Sequence, residues 1–126
     1  MSGGRVLVVE DNPLNLKLLR DVLVASGYDV VTATSGEDAL ELAVSAPPQL
    51  VLMDLQLPGI DGAETMRRLR AGPTGPDVPV VAVTAFAMVQ DQLDANRAGF
   101  DAYVEKPVSV RALLDLVRSL LDRATP

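Results

Sequence analysis

Three segments of this chain carry unbroken apolar runs, and these runs limit the possible folds more than any other feature. They lie within residues 5–10, 50–53 and 78–83. A strand with one solvated face alternates apolar and polar residues, whereas an unbroken apolar run indicates a strand buried on both faces, as in parallel sheets. Residues 28–34 and 101–105 complete the set of five predicted strands.

Segments with apolar residues at helical spacing separate these strands. The five predicted helices run from about 13 to 26, between Ser35 and Pro47, between Gly62 and Gly72, over 90–98 and from Ser109 onwards. In the second of them the expected buried stripe is Ala39, Leu40, Ala43 and Val44. Strands that alternate with helices predict a doubly wound α/β domain, whose parallel strands are joined by right-handed crossovers.

Length and composition fit one domain over residues 1–126 and exclude several function classes. The chain has no Cys, which excludes disulfides and thiolate chemistry, and no His, which excludes a histidine base, metal ligand or phosphohistidine of its own. Its formal net charge of −6 argues against direct nucleic-acid binding, which needs a basic surface. No apolar run resembles a signal peptide or approaches a membrane-spanning length. We therefore expect a cytoplasmic protein that binds neither nucleic acid nor membrane.

Polar residues stand at the ends of four predicted strands. Glu10 and Asp11 follow the first strand, Asp54 the third, Thr84 the fourth and Lys106 the fifth. A single acid in such a place is commonly a helix cap or a turn residue. Four strand ends with such residues are harder to explain as caps, because the carboxyl ends of parallel strands face one crevice, where ligands bind.

Three carboxylates in one crevice need a counter-charge. At about 4 Å and an effective dielectric near 20, each pair repels by roughly 4 kcal/mol. All-oxygen ligands favour a hard cation, and Mg²⁺ is the commonest one that keeps open water positions. Mg²⁺ on one side of Asp54 and Lys106 on the other would attract a phosphoryl group, to which Thr84 could donate a hydrogen bond. Asp54 is then the candidate nucleophile, giving an aspartyl phosphate.

The motifs that carry these residues resemble the response-regulator receiver domain, the CheY-like family. They are Val-Val-Glu-Asp-Asn at 8–12, Leu-Met-Asp-Leu-Gln-Leu-Pro at 52–58, Val-Thr-Ala at 83–85 and Tyr-Val-Glu-Lys-Pro at 103–107. The similarity covers essentially the whole chain and is closest to single-domain regulators of the DivK type. It implies a flavodoxin-like sheet with strand order 2-1-3-4-5.

The resemblance also implies a role for each site residue. Asp54 is the expected phosphoacceptor, and Mg²⁺, or Mn²⁺ in its place, is expected on Asp11, Asp54 and the backbone carbonyl of Gln56. Glu10 is expected to act on the metal through water. Lys106, ahead of a cis peptide bond to Pro107, is expected to contact the phosphoryl group. Thr84 and Tyr103 form the expected switch pair.

The implied partners are a histidine kinase or phosphotransfer protein as donor and a downstream protein target. The target is expected on the face formed by the fourth helix, fifth strand and fifth helix, near Phe86 and Met88. The chain is expected to be a signalling switch whose only reactions are its own phosphorylation and dephosphorylation. Alternatives are a phosphate sink or phosphorelay intermediate, a receiver excised from a larger regulator or hybrid kinase, and a flavodoxin-like cofactor-binding enzyme. That last class needs a Ser-, Thr- and Gly-rich phosphate loop where this chain has Glu10-Asp11.

Overall fold

The computed structural model of this protein describes residues 4–85 and 98–124, and within them five strands form one parallel sheet. The strands are β1 (Arg5–Val9), β2 (Asp29–Ala33), β3 (Leu50–Asp54), β4 (Val80–Thr84) and β5 (Ala102–Glu105). Their order in the sheet is β2-β1-β3-β4-β5. The predicted fold class and strand order are therefore confirmed.

Four helices cover the two faces of the sheet in the described part of the chain. They are α1 (Pro13–Ala25), α2 (Gly36–Ser45), α3 (Gly62–Ala71) and α4 (Val110–Ala124). The last of these is the helix predicted from Ser109 onwards. The helix predicted over 90–98 lies outside the described residues apart from Ala98, as do Phe86 and Met88.

The unbroken apolar strands feed two cores, one on each face of the sheet. In β1, Leu7 and Val9 pack into the core under α2 and α3, whereas Val6 and Val8 pack into the core under α1 and α4. Every residue of β3 and of β4 is buried. Successive residues of a strand face opposite sides, so a two-sided core requires the continuous hydrophobicity found in the sequence.

Polar side chains cap the starts of three helices. Asn12 caps α1 by accepting hydrogen bonds from the backbone N–H groups of Leu14 and Asn15. Ser35 caps α2, and the Ser109 hydroxyl accepts a hydrogen bond from the Ala112 N–H at the start of α4. These caps satisfy donors that a helix start leaves unpaired.

The predicted stripe of α2 is wrong at one position. Ala39 and Ala43 are buried and Leu40 is half-buried, but the Val44 residue is 70% exposed. Each helical residue turns about 100° from the one before it. Val44 follows Ala43 directly and is turned away from the sheet.

The strand ends carry the predicted polar residues to one edge of the sheet. Asp54 is the last residue of β3 and pairs with Val83 in β4. Thr84, the last residue of β4, pairs with Glu105, the last residue of β5, so that Lys106 follows at once. No helix in the described part of the chain is long and apolar enough to cross a membrane.

Candidate functional site

Asp54 lies at the centre of the carboxyl edge of the sheet, with only 5% of the residue exposed. Its Oδ1 atom accepts a hydrogen bond of 2.9 Å from the backbone N–H of Gln56, and its Oδ2 atom lies 3.2 Å from Lys106 Nζ. A buried carboxylate is costly unless it is paired and hydrogen-bonded. Both oxygens of Asp54 have such partners.

Lys106 reaches two acids. Its Nζ atom lies 2.6 Å from Glu10 Oε1 as well as 3.2 Å from Asp54 Oδ2. Its backbone N–H donates a 2.8 Å hydrogen bond to the carbonyl of Thr84, and the peptide bond to Pro107 is cis, as expected. The sequence indicated Lys106 beside Asp54 but gave no sign of its contact with Glu10.

Glu10 is the most strongly perturbed acid of the site. The residue is 1% exposed, and burial, followed by a hydrogen bond shared with Asp54, raises the pKa of its carboxyl to about 7. Burial opposes the charge of Lys106, but the contact with Glu10 and the charge of Asp54 outweigh it and raise the pKa of that ammonium. Lys106 therefore remains charged at neutral pH, whereas Glu10 takes up a proton readily.

The acid group fits a hard cation. Glu10, Asp11 and Asp54 each offer one carboxylate oxygen within 4.8 Å of the others. Glu10 Oε1 is buried and has no aligned hydrogen-bond donor among the described residues, although Lys106 lies close to it. Asp11 is exposed and leaves a path from solvent. Three clustered oxygen ligands with coordination capacity to spare suit Mg²⁺, which binds carboxylates and keeps several waters.

The loop between β3 and α3 packs closely against the site. Gly62, the first residue of α3, is buried, and a Cβ atom there would lie 2.4 Å from the backbone carbonyl oxygen of Asp54. Only glycine permits this approach. The sequence carries no signal of this contact between Gly62 and Asp54.

The two predicted switch residues lie on neighbouring strands. Thr84 is buried at the end of β4. Its backbone carbonyl accepts the hydrogen bond from the Lys106 N–H, which places Thr84 next to the site. Tyr103 is half-buried, pairs with Ala82 and packs against the core under α2 and α3. The structure thus brings Glu10, Asp11, Asp54, Thr84 and Lys106 together, with Tyr103 two residues before the end of β5.

We expect Glu10→Gln to stabilise the Mg²⁺-free protein at pH 8. A carboxyl whose pKa is raised by folding supports the fold fully below its unfolded value of about 4.5. That support is lost as the pH rises through about 7. Removal of the charge should raise the free energy of unfolding by on the order of 1–3 kcal/mol at pH 8 and by little at pH 4.5. Urea titrations of wild type and variant at both pH values measure the difference, and equal gains at both would contradict this account.

Comparisons with known proteins agree with this geometry. The model of the response regulator receiver domain matches residues 6–118. The chain is 44% identical over 119 residues to the polar-differentiation response regulator DivK of Brucella ovis, covering 94% of this chain and 97% of that protein.

Solved structures share the fold. A CheY-like response regulator receiver domain protein from Methanospirillum hungatei is 29% identical with a TM-score of 0.86, covering 95% of this chain and 94% of that one. The receiver domain of sensor histidine kinase PA1611 from Pseudomonas aeruginosa, with a magnesium ion coordinated in its active site cleft, is 32% identical with a TM-score of 0.87, covering 96% and 99%. This chain belongs to the response regulator receiver domain family of two-component systems.

Proposed function

We propose that this receiver accepts a phosphoryl group on Asp54 from a phosphohistidine, supplied by a histidine kinase or a phosphotransfer protein. The observation that carries the proposal is that the Asp54 carboxylate contacts the Lys106 ammonium and also belongs to a cluster of acids suited to Mg²⁺. The acids would hold Mg²⁺, and the positive charge of the bound ion would join that of Lys106 in offsetting the charge of an incoming phosphoryl group. A purely structural acid at a strand end needs neither.

In the proposed step an oxygen of Asp54 forms the new bond to phosphorus while the P–N bond to the donor imidazole breaks. The imidazole nitrogen keeps the electron pair of that bond and takes a proton. Lys106, 3.2 Å from Asp54 Oδ2, lies within reach of a phosphoryl oxygen attached there. Asp11, Asp54 and the backbone carbonyl of Gln56 would hold Mg²⁺ (or Mn²⁺), with Glu10 acting through water, and the bound ion would supply positive charge for the phosphoryl oxygens.

We further propose that phosphorylation acts as a protein-interaction switch through Thr84 and Tyr103. Tyr103 lines a surface cavity of about 290 Å³ between β5 and α4, together with Pro107, Ala112 and Leu116. A turn of Tyr103 would therefore reshape a surface that a protein target can read, on the face that α4 shares with β5. This observation favours a switch over a phosphate sink or relay intermediate, which needs no such surface.

Transfer from a phosphorylated histidine protein separates the switch from the relay. If phosphorylation raises the affinity of this protein for a downstream target protein, the result supports the switch. Rapid return of the phosphoryl group to the phosphotransfer protein, with no change in the affinity for any other partner, supports the relay. Absence of Asp54 phosphorylation from any donor in Mg²⁺ would reject both.

Exposed apolar side chains flank the site, and they favour a protein as the phosphoryl donor. Leu14 and Leu18 of α1 are 80% and 45% exposed, and Leu18 lines a small cavity with Lys106 and Pro107. A donor that reaches Asp54 past Lys106 must cover this surface. We expect Leu18→Asp to slow transfer from a phosphohistidine protein by about tenfold or more, since a buried interface charge is costly. Its reaction with acetyl phosphate should be unchanged, and equal slowing of both reactions would contradict this assignment.

Membership of this family also supports two proposals, one on domain organisation and one on cellular location. Residues 1–126 act as a single receiver domain, since the family match spans β1 to α4. The protein works in the cytoplasm, where phosphohistidine donors use ATP. Fluorescent fusions imaged in cells, together with fractionation, test the second of these.

A further inference from the structure

A charged contact at the opposite end of the sheet from Asp54 has no part in the function proposed so far. Arg70, near the end of α3, donates hydrogen bonds to the backbone carbonyl of Gly99 and to Asp101 Oδ2, the latter at 2.6 Å. Asp101 Oδ2 also accepts a 2.7 Å hydrogen bond from the backbone N–H of Val80. We call this set the Arg70 clamp: the Arg70 guanidinium, the Gly99 carbonyl, the Asp101 carboxylate and the Val80 N–H.

The clamp fixes where β4 and β5 begin. Val80 is the first residue of β4 and Asp101 directly precedes β5, and the Asp101 N–H donates a 2.9 Å hydrogen bond back to the Val80 carbonyl. The two residues are therefore bonded in both directions. The exposed fraction of the Arg70 side chain is 20%, against 57% and 52% for Arg67 and Arg68 of the same helix. Arg70 is thus the arginine of α3 that is held within the fold.

Two short elements lead from the clamp to the site. β5 has only four residues, paired with β4 from Val81–Ala102 to Thr84–Glu105, and Lys106 follows immediately. α3 runs the other way, from Gly62 against the Asp54 carbonyl to Arg70. The clamp therefore joins, at their far ends, the elements that carry Lys106 and support Asp54.

We propose that Arg70 is a positioning residue for the phosphoryl side of the site. It acts through β4 and β5 on Lys106 and Thr84, and it leaves in place β1 and β3, the strands that carry the acids of the metal site. Glu10 and Asp11 follow β1 and Asp54 ends β3, and neither strand begins at the clamp, so the acids are affected only through their contacts with Lys106. The inference rests on the proposed function, because it concerns the contacts made by a phosphoryl group on Asp54.

The test compares Arg70→Met with Arg68→Met, which removes an exposed arginine of the same helix that pairs with Glu64. Amide NMR titrations measure the Kd for Mg²⁺ alone and the Kd for beryllofluoride, an aspartyl-phosphate mimic, at saturating Mg²⁺. We expect Arg70→Met to weaken beryllofluoride binding by about 3- to 10-fold and to change the Kd for Mg²⁺ much less. Arg68→Met should change neither value.

Two further variants distinguish the loss of the Arg70 contacts from a folding defect. Arg70→Lys keeps the charge near Asp101 but not the two-armed contact, and we expect it to recover part of the affinity for beryllofluoride. Asp101→Asn removes the charge pair from the other side and should match Arg70→Met without adding to it. If wild type does not bind beryllofluoride, the proposed function fails. If wild type binds it and Arg70→Met binds it equally well, or loses Mg²⁺ affinity in parallel, the positioning role fails alone.

Discussion

Asp54→Asn is expected to abolish stable phosphorylation of this protein by acetyl phosphate or phosphoramidate in Mg²⁺. The amide that replaces the carboxylate is a poor nucleophile and cannot form an acyl phosphate. The substitution also removes one of the three carboxylates of the acid cluster. Intact-mass spectrometry after incubation with the small donor measures the phosphorylated fraction. The expected result is a large fraction for wild type and none for the variant.

Asp21→Asn is the matched control for this experiment. Asp21 lies on α1, where it is exposed and pairs with Lys17. The same substitution at that position should leave phosphorylation at the wild-type level. A phosphorylated fraction in Asp54→Asn equal to that of wild type would place the acceptor elsewhere and contradict the proposed function.

Lys106→Ala is expected to slow phosphorylation by small donors by about 10²-fold, the usual cost of removing one preorganised group that stabilises charge in a transition state. The ammonium lies 3.2 Å from Asp54 Oδ2 and 2.6 Å from Glu10 Oε1, so its loss leaves two buried acids facing each other. At neutral pH Glu10 is expected to take up a proton in response, which limits the loss of stability. Initial rates with phosphoramidate at saturating Mg²⁺ measure the effect.

The sequence offers a close control, because its one other lysine is Lys17, which is exposed on α1. Lys17→Ala should react at the wild-type rate. Circular dichroism and urea unfolding show whether Lys106→Ala remains folded under the assay conditions. A folded Lys106→Ala protein that reacts as fast as wild type would remove Lys106 from the proposed chemistry.

The strand-end residues of the site could be predicted because parallel strands present all their carboxyl ends at one edge. Asp54, Thr84 and Lys106 each end or directly follow a predicted strand, so the fold alone brings them together. The same logic gave the two-sided burial of β3, since its residues alternate between the two cores.

Contacts between particular side chains could not be predicted in this way. The ion pair of Lys106 with Glu10, the approach of Gly62 to the Asp54 carbonyl and the Arg70 clamp all join residues on different elements. Hydrophobic periodicity specifies which face of an element is buried, but not which polar atoms meet across it. Val44 shows a further limit, because a predicted stripe one position too wide placed an exposed residue in the core.

Beryllofluoride binding followed by amide NMR tests whether Asp54 is a Mg²⁺-dependent phosphoacceptor coupled to Tyr103. Wild type and Asp54→Asn are titrated in parallel, with and without Mg²⁺. We expect saturable, Mg²⁺-dependent shifts in wild type around Asp54, Thr84 and Lys106 that extend to Tyr103 and are absent in the variant. Shifts confined to the pocket would support the acceptor site but contradict the switch. No Mg²⁺-dependent response in wild type would contradict the proposed phosphorylation of Asp54 itself.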